Sequence, residues 1–167
     1  MNIDTTGIPR DKYLQTTDSE LSAICHITCA MGSGPGGQKR NKTATAVKAV
    51  LPELGLSAAD CTERSQFRNR ANALKKLRMQ IALKFRVFPA LPPNPMECSM
   101  NSPAYALFAA HLLDVLAENS FDHKQAANIC GISPSALLKK LYRDQDLWNF
   151  FQNNRKELAL PSLHPPK

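Results

Sequence analysis

The first half of the chain contains a dense glycine run, which reads Gly32-Ser33-Gly34-Pro35-Gly36-Gly37-Gln38-Lys39-Arg40-Asn41-Lys42. Four of the seven glycines in the 167-residue sequence fall within this run. Residues 24–30 alternate in polarity as a strand does, and residues 46–51 are predicted as a second strand. We therefore expect the glycine run to be the loop that joins two strands of a small sheet.

The spacing of Gly32, Gly34 and Gly37 matches the glycine pattern of dinucleotide-binding loops. That pattern requires a helix directly after the loop, and an acidic residue about 20 residues further on at the end of a second parallel strand. Here a strand follows the basic residues instead, and the run lacks the Gly-Lys-Ser/Thr triplet of a P-loop. A nucleotide site is therefore disfavoured. A surface loop without function is the other alternative, although such loops rarely combine a proline, paired glycines and an adjoining basic cluster.

Two blocks of sequence carry a family resemblance. The first block is Ser33-Gly34-Pro35-Gly36-Gly37-Gln38 with Asn41-Lys42-Thr43 and Ala46-Val47 after it, and the second is Glu63-Arg64-Ser65-Gln66 with Asn69, Ala71 and Ala73-Leu74 after it. With a short hairpin between the blocks, residues 20–85 resemble the catalytic domain of class I peptide-chain release factors and of their codon-independent rescue relatives. Two blocks at this distance are far more specific than an isolated Gly-Gly-Gln triplet.

The resemblance implies a reaction, which is hydrolysis of the ester that joins a nascent peptide to tRNA in the peptidyl-transferase centre of the ribosome. The implied catalytic residues are Gly36, Gly37 and Gln38. In the family the backbone N–H of the Gln donates to the negative charge that develops on oxygen, and its side chain helps to position water. The two glycines allow the backbone angles and the close approach to RNA that this role requires.

The resemblance also implies partners, namely the ribosome, peptidyl-tRNA, ribosomal RNA and a methyltransferase that modifies the Gln38 amide. It implies neither a cofactor nor a metal. One departure from the family pattern is visible, because Lys39 and Arg40 stand where many members carry His and Val. This difference puts a standard approach of the loop to the ribosome in doubt.

The charge distribution agrees with an RNA partner. The net charge is +7; residues 1–85 hold 13 Lys and Arg against 7 Asp and Glu, and residues 86–167 hold 8 against 7. The anion-facing surface is therefore expected in the first half, although a merely solvated basic face is the alternative. The predicted RNA-binding residues are Ser33, Gly34, Pro35, Lys39, Arg40, Asn41, Lys42, Thr43, Arg64, Ser65, Gln66, Arg68, Asn69 and Lys75.

The predicted fold class is α+β, with a small three-stranded sheet, the glycine loop and a long packing helix over residues 65–85. Apolar residues recur along that helix at spacings of three and four and form one stripe; they are Phe67, Ala71, Leu74, Leu77, Ile81 and Phe85. Residues 1–16 are predicted to be a loose leader. We predict a catalytic domain over residues 1–85, a stiff linker with five prolines over residues 86–103, and a helical domain over residues 104–167.

The helical domain contains a pattern typical of a helix-turn-helix, formed by Ala126, Ala127, Cys130, Gly131, Ile132 and Leu137. Lys139, Lys140 and Arg143 follow on the next helix and are predicted as a second nucleic-acid contact. An ordinary helical bundle whose turn needs a glycine is an equally good interpretation. A non-catalytic nucleic-acid-binding module is accordingly the rival function for the whole chain.

The remaining sequence features narrow the type of protein. We expect no domain that reads stop codons, because a sequence of this length leaves no room for one. The resemblance therefore points to codon-independent rescue. The chain does not, however, end in the Lys/Arg-rich tail of short rescue relatives. The five cysteines are an odd number without a Cys-x-x-Cys pair, which favours reduced thiols in the cytoplasm over a zinc site. The apolar runs of the sequence are much shorter than a membrane-spanning helix, which needs about 20 residues.

Overall fold

The computed structural model describes residue 7, residues 9–31 and residues 45–166. The chain divides into two compact units. Asp11–Ile81 form one of them, which we call the sheet unit. The other, which we call the helical unit, contains residues 82–166 together with Gly7, Pro9 and Arg10.

Up to residue 84, the described residues form three helices, three strands and one short 3-10 turn: α1 (Arg10–Gln15), α2 (Asp18–Ile24), β1 (His26–Ala30), β2 (Ala46–Leu51), the turn Pro52–Leu54, β3 (Leu56–Asp60) and α3 (Gln66–Lys84). The strands form an antiparallel sheet in the order β1-β2-β3. The predicted α+β class with a small three-stranded sheet is therefore confirmed.

The β2–β3 hairpin closes on a glycine. Leu51 pairs with Leu56, so the turn between them must reverse the chain within four residues. Pro52 starts the turn with its fixed φ. Gly55 ends the turn in the left-handed region at φ +61, and its N–H donates a hydrogen bond to the Pro52 carbonyl. A side chain at Gly55 would meet open space but would strain the left-handed backbone.

A capping box fixes the start of α2. Thr17 Oγ1 accepts from the backbone N–H of Glu20 at 3.2 Å, and a Glu20 carboxylate oxygen accepts from the backbone N–H of Thr17 at 2.8 Å. The backbone N–H and the hydroxyl of Thr17 both donate to the Glu20 carboxylate, which favours its charged form and lowers the pKa of Glu20. Local chemistry alone thus specifies this helix end.

The prediction of a loose leader over residues 1–16 is wrong for its last part. Arg10–Gln15 form α1, and Tyr13 and Leu14 on it are buried. Burial, together with a hydrogen bond to the Glu53 carboxylate, raises the pKa of Tyr13 to about 12. The short apolar pair Tyr13-Leu14 gave too weak a pattern for a helix prediction, and packing on the sheet unit stabilises it instead.

The predicted apolar stripe of α3 is confirmed for Leu74, Leu77, Ile81 and Phe85, which are buried, but it is wrong for Phe67. Phe67 is 80% exposed, whereas Asn69 is fully buried. Successive residues of a helix are about 100° apart, so Phe67 lies about 200° from Asn69 and faces away from the buried side of the first turn. The buried side therefore shifts around α3 along its length, which a straight stripe does not reproduce.

Asp60, at the end of β3, is a buried acid with several donors. It accepts from the N–H and the hydroxyl of Thr62 at 2.8 and 2.7 Å, and Lys76 Nζ lies 3.0 Å from its other oxygen. Burial alone would raise the pKa of Asp60, but these donors outweigh it and hold the pKa below its ordinary value.

We expect Asp60→Asn to lower the unfolding free energy at pH 7 by about 1.5–3 kcal/mol, the range for hydrogen bonds to a charged group. Because the folded pKa is depressed, the Asp60 contribution is complete above the unfolded value near pH 4 and is lost as the pH falls through the folded value. Urea unfolding between about pH 5 and pH 2 should show a shallower pH dependence in the variant. Equal slopes in the two proteins would contradict this account.

The helical unit contains α4 (Tyr105–Glu118), α5 (His123–Ile129), α6 (Pro134–Tyr142) and α7 (Gln145–Glu157). Three of these helices begin at a side-chain cap, from Asp122, Ser133 and Asp144. The core is built from fully buried side chains, among them Leu112, Leu116, Phe121, Leu137, Leu141, Leu147 and Phe151. Among the helices of residues 9–31 and 45–166, none combines the length and apolar character needed to cross a membrane.

The proline-rich segment 86–103 lies within the helical unit. Arg86 and Pro93 are buried, and the Ala90 N–H donates to the Glu118 carboxylate at 3.2 Å. Glu97 pairs with Lys140, and the Cys98 carbonyl accepts from Arg143 at 2.6 Å. The segment therefore packs along α4 and α6.

Candidate functional site

The predicted catalytic residues Gly36, Gly37 and Gln38 lie outside the described residues. The same holds for the predicted RNA-binding residues of the first block, which are Ser33, Gly34, Pro35, Lys39, Arg40, Asn41, Lys42 and Thr43. Their attachment to the sheet is described. Ala30 of β1 and Ala46 of β2 are register partners, so segment 32–44 leaves and rejoins the same end of the sheet.

Asn69 of α3 ties this end of the sheet to the second motif block. Its amide nitrogen donates to the Thr45 carbonyl at 2.6 Å and to the Glu63 carbonyl at 2.9 Å. Its amide oxygen accepts from the Glu63 N–H at 2.8 Å. One buried side chain thus satisfies three backbone groups from two segments, 24 and 6 residues away.

The placement of Asn69 differs from its predicted role. The side chain was expected to contact RNA, but it is fully buried and its polar atoms are used by the backbone. Asn69 is therefore a positioning residue, which holds the first turn of α3 against the point where segment 32–44 rejoins β2. The signal missed in the sequence was its register, two residues after Phe67, which places the two side chains on opposite sides of the helix.

We expect Asn69→Ala to lower the unfolding free energy by about 1–3 kcal/mol, because buried backbone groups would lose their partners. Asn69→Asp, which keeps the acceptor for Glu63 and loses the donor to Thr45, should also destabilise the sheet unit. Urea unfolding measures both effects. Gln66→Ala, at an exposed position of the same turn, is the matched control, and an equally small effect of both Ala variants would contradict the positioning role.

The predicted RNA-binding residues around the start of α3 are otherwise at the surface. Arg64, Gln66, Arg68 and Lys75 are exposed, and Ser65 is half-buried with its hydroxyl accepting from the Arg68 N–H at 3.4 Å. The contact of Arg68 with Glu63 is 3.6 Å long between side chains that are 71% and 44% exposed, which makes it a weak, screened pair. Arg68 and Lys75 are seven residues apart and lie on one side of α3, two turns apart.

Three other cations of α3 are engaged by partners within the sheet unit, and one of them, Arg78, is buried. Arg78 donates to Asp18 at 2.5 Å and to the Thr16 carbonyl at 2.8 Å. Arg70 donates from Nε to the Ser22 hydroxyl at 3.0 Å, and Lys76 pairs with Asp60. Arg70, Lys76 and Arg78 therefore have structural partners, whereas Arg68 and Lys75 of α3, and Arg64 just before it, are exposed cations with at most a weak contact to Glu63.

The second predicted nucleic-acid contact lies on α6. The tight turn before α6 is present: Gly131 adopts φ +66, and the Ile132 N–H donates to the Ala127 carbonyl at 3.0 Å. Lys139 is exposed, but Lys140 pairs with Glu97, and Arg143 donates to the Cys98 carbonyl. The Lys140 ammonium, joined by Arg143, lowers the pKa of Glu97. Two of the three predicted cations therefore already bind the proline-rich segment.

The five cysteines are free thiols. Within residues 9–31 and 45–166, groups of three or more His, Cys, Asp or Glu that would hold a metal ion do not occur.

Comparison with known proteins relates residues 18–87 to a known domain family. Residues 18–87 match the RF-1 domain model. The chain is 40% identical over 68 residues to peptide chain release factor 2 of Paramagnetospirillum magneticum, a match covering 41% of this chain and 17% of that protein. It is 47% identical over 49 residues to peptide chain release factor 1 of Enterococcus faecalis, covering 29% of this chain and 14% of that protein.

Residues 18–87 therefore belong to the RF-1 domain family of class I release factors, as the two motif blocks predicted. The match spans less than a fifth of either relative. Helix α2, the three strands and α3 all lie within the matched residues. The four helices α4 to α7 lie beyond them.

Proposed function

We propose that this protein hydrolyses the ester bond of peptidyl-tRNA on the ribosome, with Gly36, Gly37 and Gln38 as the catalytic residues. The observation that carries the proposal is the Asn69 contact with Thr45. It joins the two motif blocks at the end of the sheet where the Gly-Gly-Gln segment is attached. Membership of residues 18–87 in the RF-1 domain family supports the same reaction.

In this proposal a water molecule attacks the ester carbonyl, and the bond to the ribose oxygen of the terminal tRNA nucleotide breaks. The products are a free peptide carboxyl group and a tRNA with its ribose hydroxyl restored. The Gln38 N–H donates to the oxygen that becomes negative, and the Gln38 side chain orients the water. Arg64, Arg68 and Lys75 neutralise RNA phosphates next to this loop.

We further propose that the protein acts in codon-independent rescue of stalled ribosomes. The test compares peptide release from ribosomes stalled on a truncated message, at a sense codon and at a stop codon. Release from the truncated complex without a stop codon is the expected result. Release that requires a stop codon would overturn the rescue role, and failure to release peptide from any of these complexes would overturn the hydrolase.

The rival function, a non-catalytic nucleic-acid-binding module, predicts tight binding of duplex DNA through α6. The pairing of Lys140 with Glu97 and of Arg143 with the Cys98 carbonyl weighs against it, because these cations are already engaged. Titration with duplex DNA and with ribosomes separates the two functions. Tight DNA binding without peptide release would favour the rival.

Two finer elements belong to the same proposal. Five free cysteines agree with a cytoplasmic location, where thiols stay reduced. Methylation of the Gln38 amide stays a prediction from the family resemblance, and the mass of the peptide that contains Gln38 in protein purified from its own host tests it.

A further inference from the structure

Phe67 is the most exposed of the large apolar side chains in the described part of the chain, at 80%. It lies in the first turn of α3, within the second motif block, and the catalytic proposal gives it no role. Because Asn69 faces inward, Phe67 is turned to solvent on the opposite side of the helix. The side chain one turn further along is Ala71, which is too small to cover the ring.

The surroundings of Phe67 are cationic. Arg64 and Arg68 are exposed on either side of it in sequence, and the first turn of α3 contains no acidic residue. The nearby acid Glu63 makes only a weak, screened contact of 3.6 Å with Arg68. The N-terminus of a helix is itself positive, so acids are favoured there and cations are unfavourable. The basic residues therefore lower the stability of the start of α3, and they place positive charge around the exposed ring of Phe67. We call Arg64, Phe67 and Arg68 the α3 entry patch.

We propose that Phe67 is a stacking platform for an unpaired base of ribosomal RNA, with Arg64 and Arg68 on the neighbouring phosphates. This inference rests on the proposed function, because that function brings the protein to ribosomal RNA. Exposed aromatic side chains with basic neighbours are the way proteins hold splayed-out RNA bases. An apolar protein groove fits the patch less well, since it would desolvate two guanidinium groups with no phosphate to receive them.

The position of the patch gives the stacking a consequence for the reaction. Asn69, two residues from Phe67, is bonded to Thr45, where segment 32–44 rejoins the sheet. A base held on Phe67 would therefore fix the sheet unit on the RNA close to the attachment of the catalytic loop. Phe67 is accordingly a binding residue whose loss weakens binding to the large subunit.

The test measures binding of purified large ribosomal subunits to the full chain carrying Phe67→Ala, Phe67→Leu, Phe67→Tyr or Phe67→Trp. Ala and Leu are expected to weaken binding by about 5- to 150-fold, which corresponds to the about 1–3 kcal/mol of stacking per base. Tyr and Trp are expected to retain it, because both keep an aromatic face. Leu91→Ala, at a 69% exposed site in the proline-rich segment, is the matched control and should bind as the wild type does.

Salt dependence separates the ring from its basic neighbours. Arg68→Ala should reduce the slope of log affinity against log salt by about 1, whereas Phe67→Ala should lower affinity with the slope unchanged. Full affinity in Phe67→Leu would overturn the stacking and point to an apolar protein contact. A change of sedimentation in Phe67→Ala without ribosomes would point instead to a second copy of this chain, and would also overturn it.

The two proposals fail in different ways. Wild-type protein that binds large subunits through Phe67 but releases no peptide would overturn the hydrolase and leave the stacking platform standing. Peptide release that is undiminished in Phe67→Ala at limiting protein concentration, together with unchanged binding, would overturn the stacking platform alone. Thermal melting verifies that each Phe67 variant is folded, which its exposure leads us to expect.

Discussion

Gln38→Ala is expected to slow peptide release from stalled ribosomes by about 100-fold or more while leaving ribosome binding unchanged. The substitution removes the side chain that is proposed to orient the attacking water, and misplacement of a reacting group by about 1 Å can cost 10²-fold in rate. It keeps the backbone N–H that is proposed to stabilise the developing negative charge. Single-turnover release at saturating protein measures the chemical step separately from binding.

Comparison with Gln38→Pro divides the two roles of this residue. Proline lacks the N–H and should cost a further 10²–10³-fold, about the loss that follows removal of one donor to an oxyanion. Gln125→Ala, which changes an exposed glutamine of α5 outside the proposed RNA-binding residues, is the control for general loss of an amide. If Gln38→Ala releases peptide at the wild-type rate, the catalytic assignment is wrong.

The features that could be predicted from the sequence are those whose physics is local. Helix α2 begins where Thr17 and Glu20 form a capping box, and α6 begins where Ser133 precedes Pro134. Both signals lie within four residues of chain. The hairpin that ends at Gly55 is likewise a short pattern, and residues 18–87, which contain both motif blocks, match the RF-1 domain model.

The features that could not be predicted depend on partners distant in sequence. Asn69 is a polar residue of the kind that usually lies at a surface, and only its hydrogen bond to the Thr45 carbonyl, 24 residues away, shows that it faces inward. The sequence around Lys140 indicates only a basic helix, and the structure shows that Lys140 pairs with Glu97, which lies 43 residues earlier in the chain. Periodicity cannot reveal such pairs, because it reports which face of a helix is apolar and not what packs on the polar residues.

Phe67 shows the same limit from the apolar side. Its spacing from Ala71 and Leu74 is that of a core residue, but the buried side of α3 has shifted to Asn69 in the first turn. An apolar residue that keeps the period and still reaches solvent is informative, because the fold does not account for it. That discrepancy is what directs attention to the α3 entry patch as a binding surface.

The buried charge cluster around Asp114 is the part of the molecule least visible in the sequence. Asp114 on α4 accepts from Arg10 at 2.7 Å and from Arg86 at 3.2 Å, and the three side chains are 2%, 1% and 0% exposed. The backbone N–H of Val87 adds a contact of 3.3 Å to the same oxygen. Burial, helped by the nearby charge of Arg10, lowers the pKa of Arg86 to about 10, and Asp114 opposes this shift. The Arg86 guanidinium therefore stays charged at neutral pH.

Asp114→Ala is therefore expected to destabilise the helical unit by about 3–5 kcal/mol, because it leaves two buried cations without their shared carboxylate. Arg10→Met should cost less, since it removes one of the two cations and leaves Asp114 paired with Arg86. Trp148, the single tryptophan of the chain, lies in the helical unit and reports its urea unfolding by fluorescence. Asp146→Ala, at an exposed acid in the first turn of α7, is the matched control, with an expected loss of about 0.3–1 kcal/mol. A loss in Asp114→Ala no larger than in this control would mean that apolar packing, and not the charge cluster, holds residues 86 and 87 against α4.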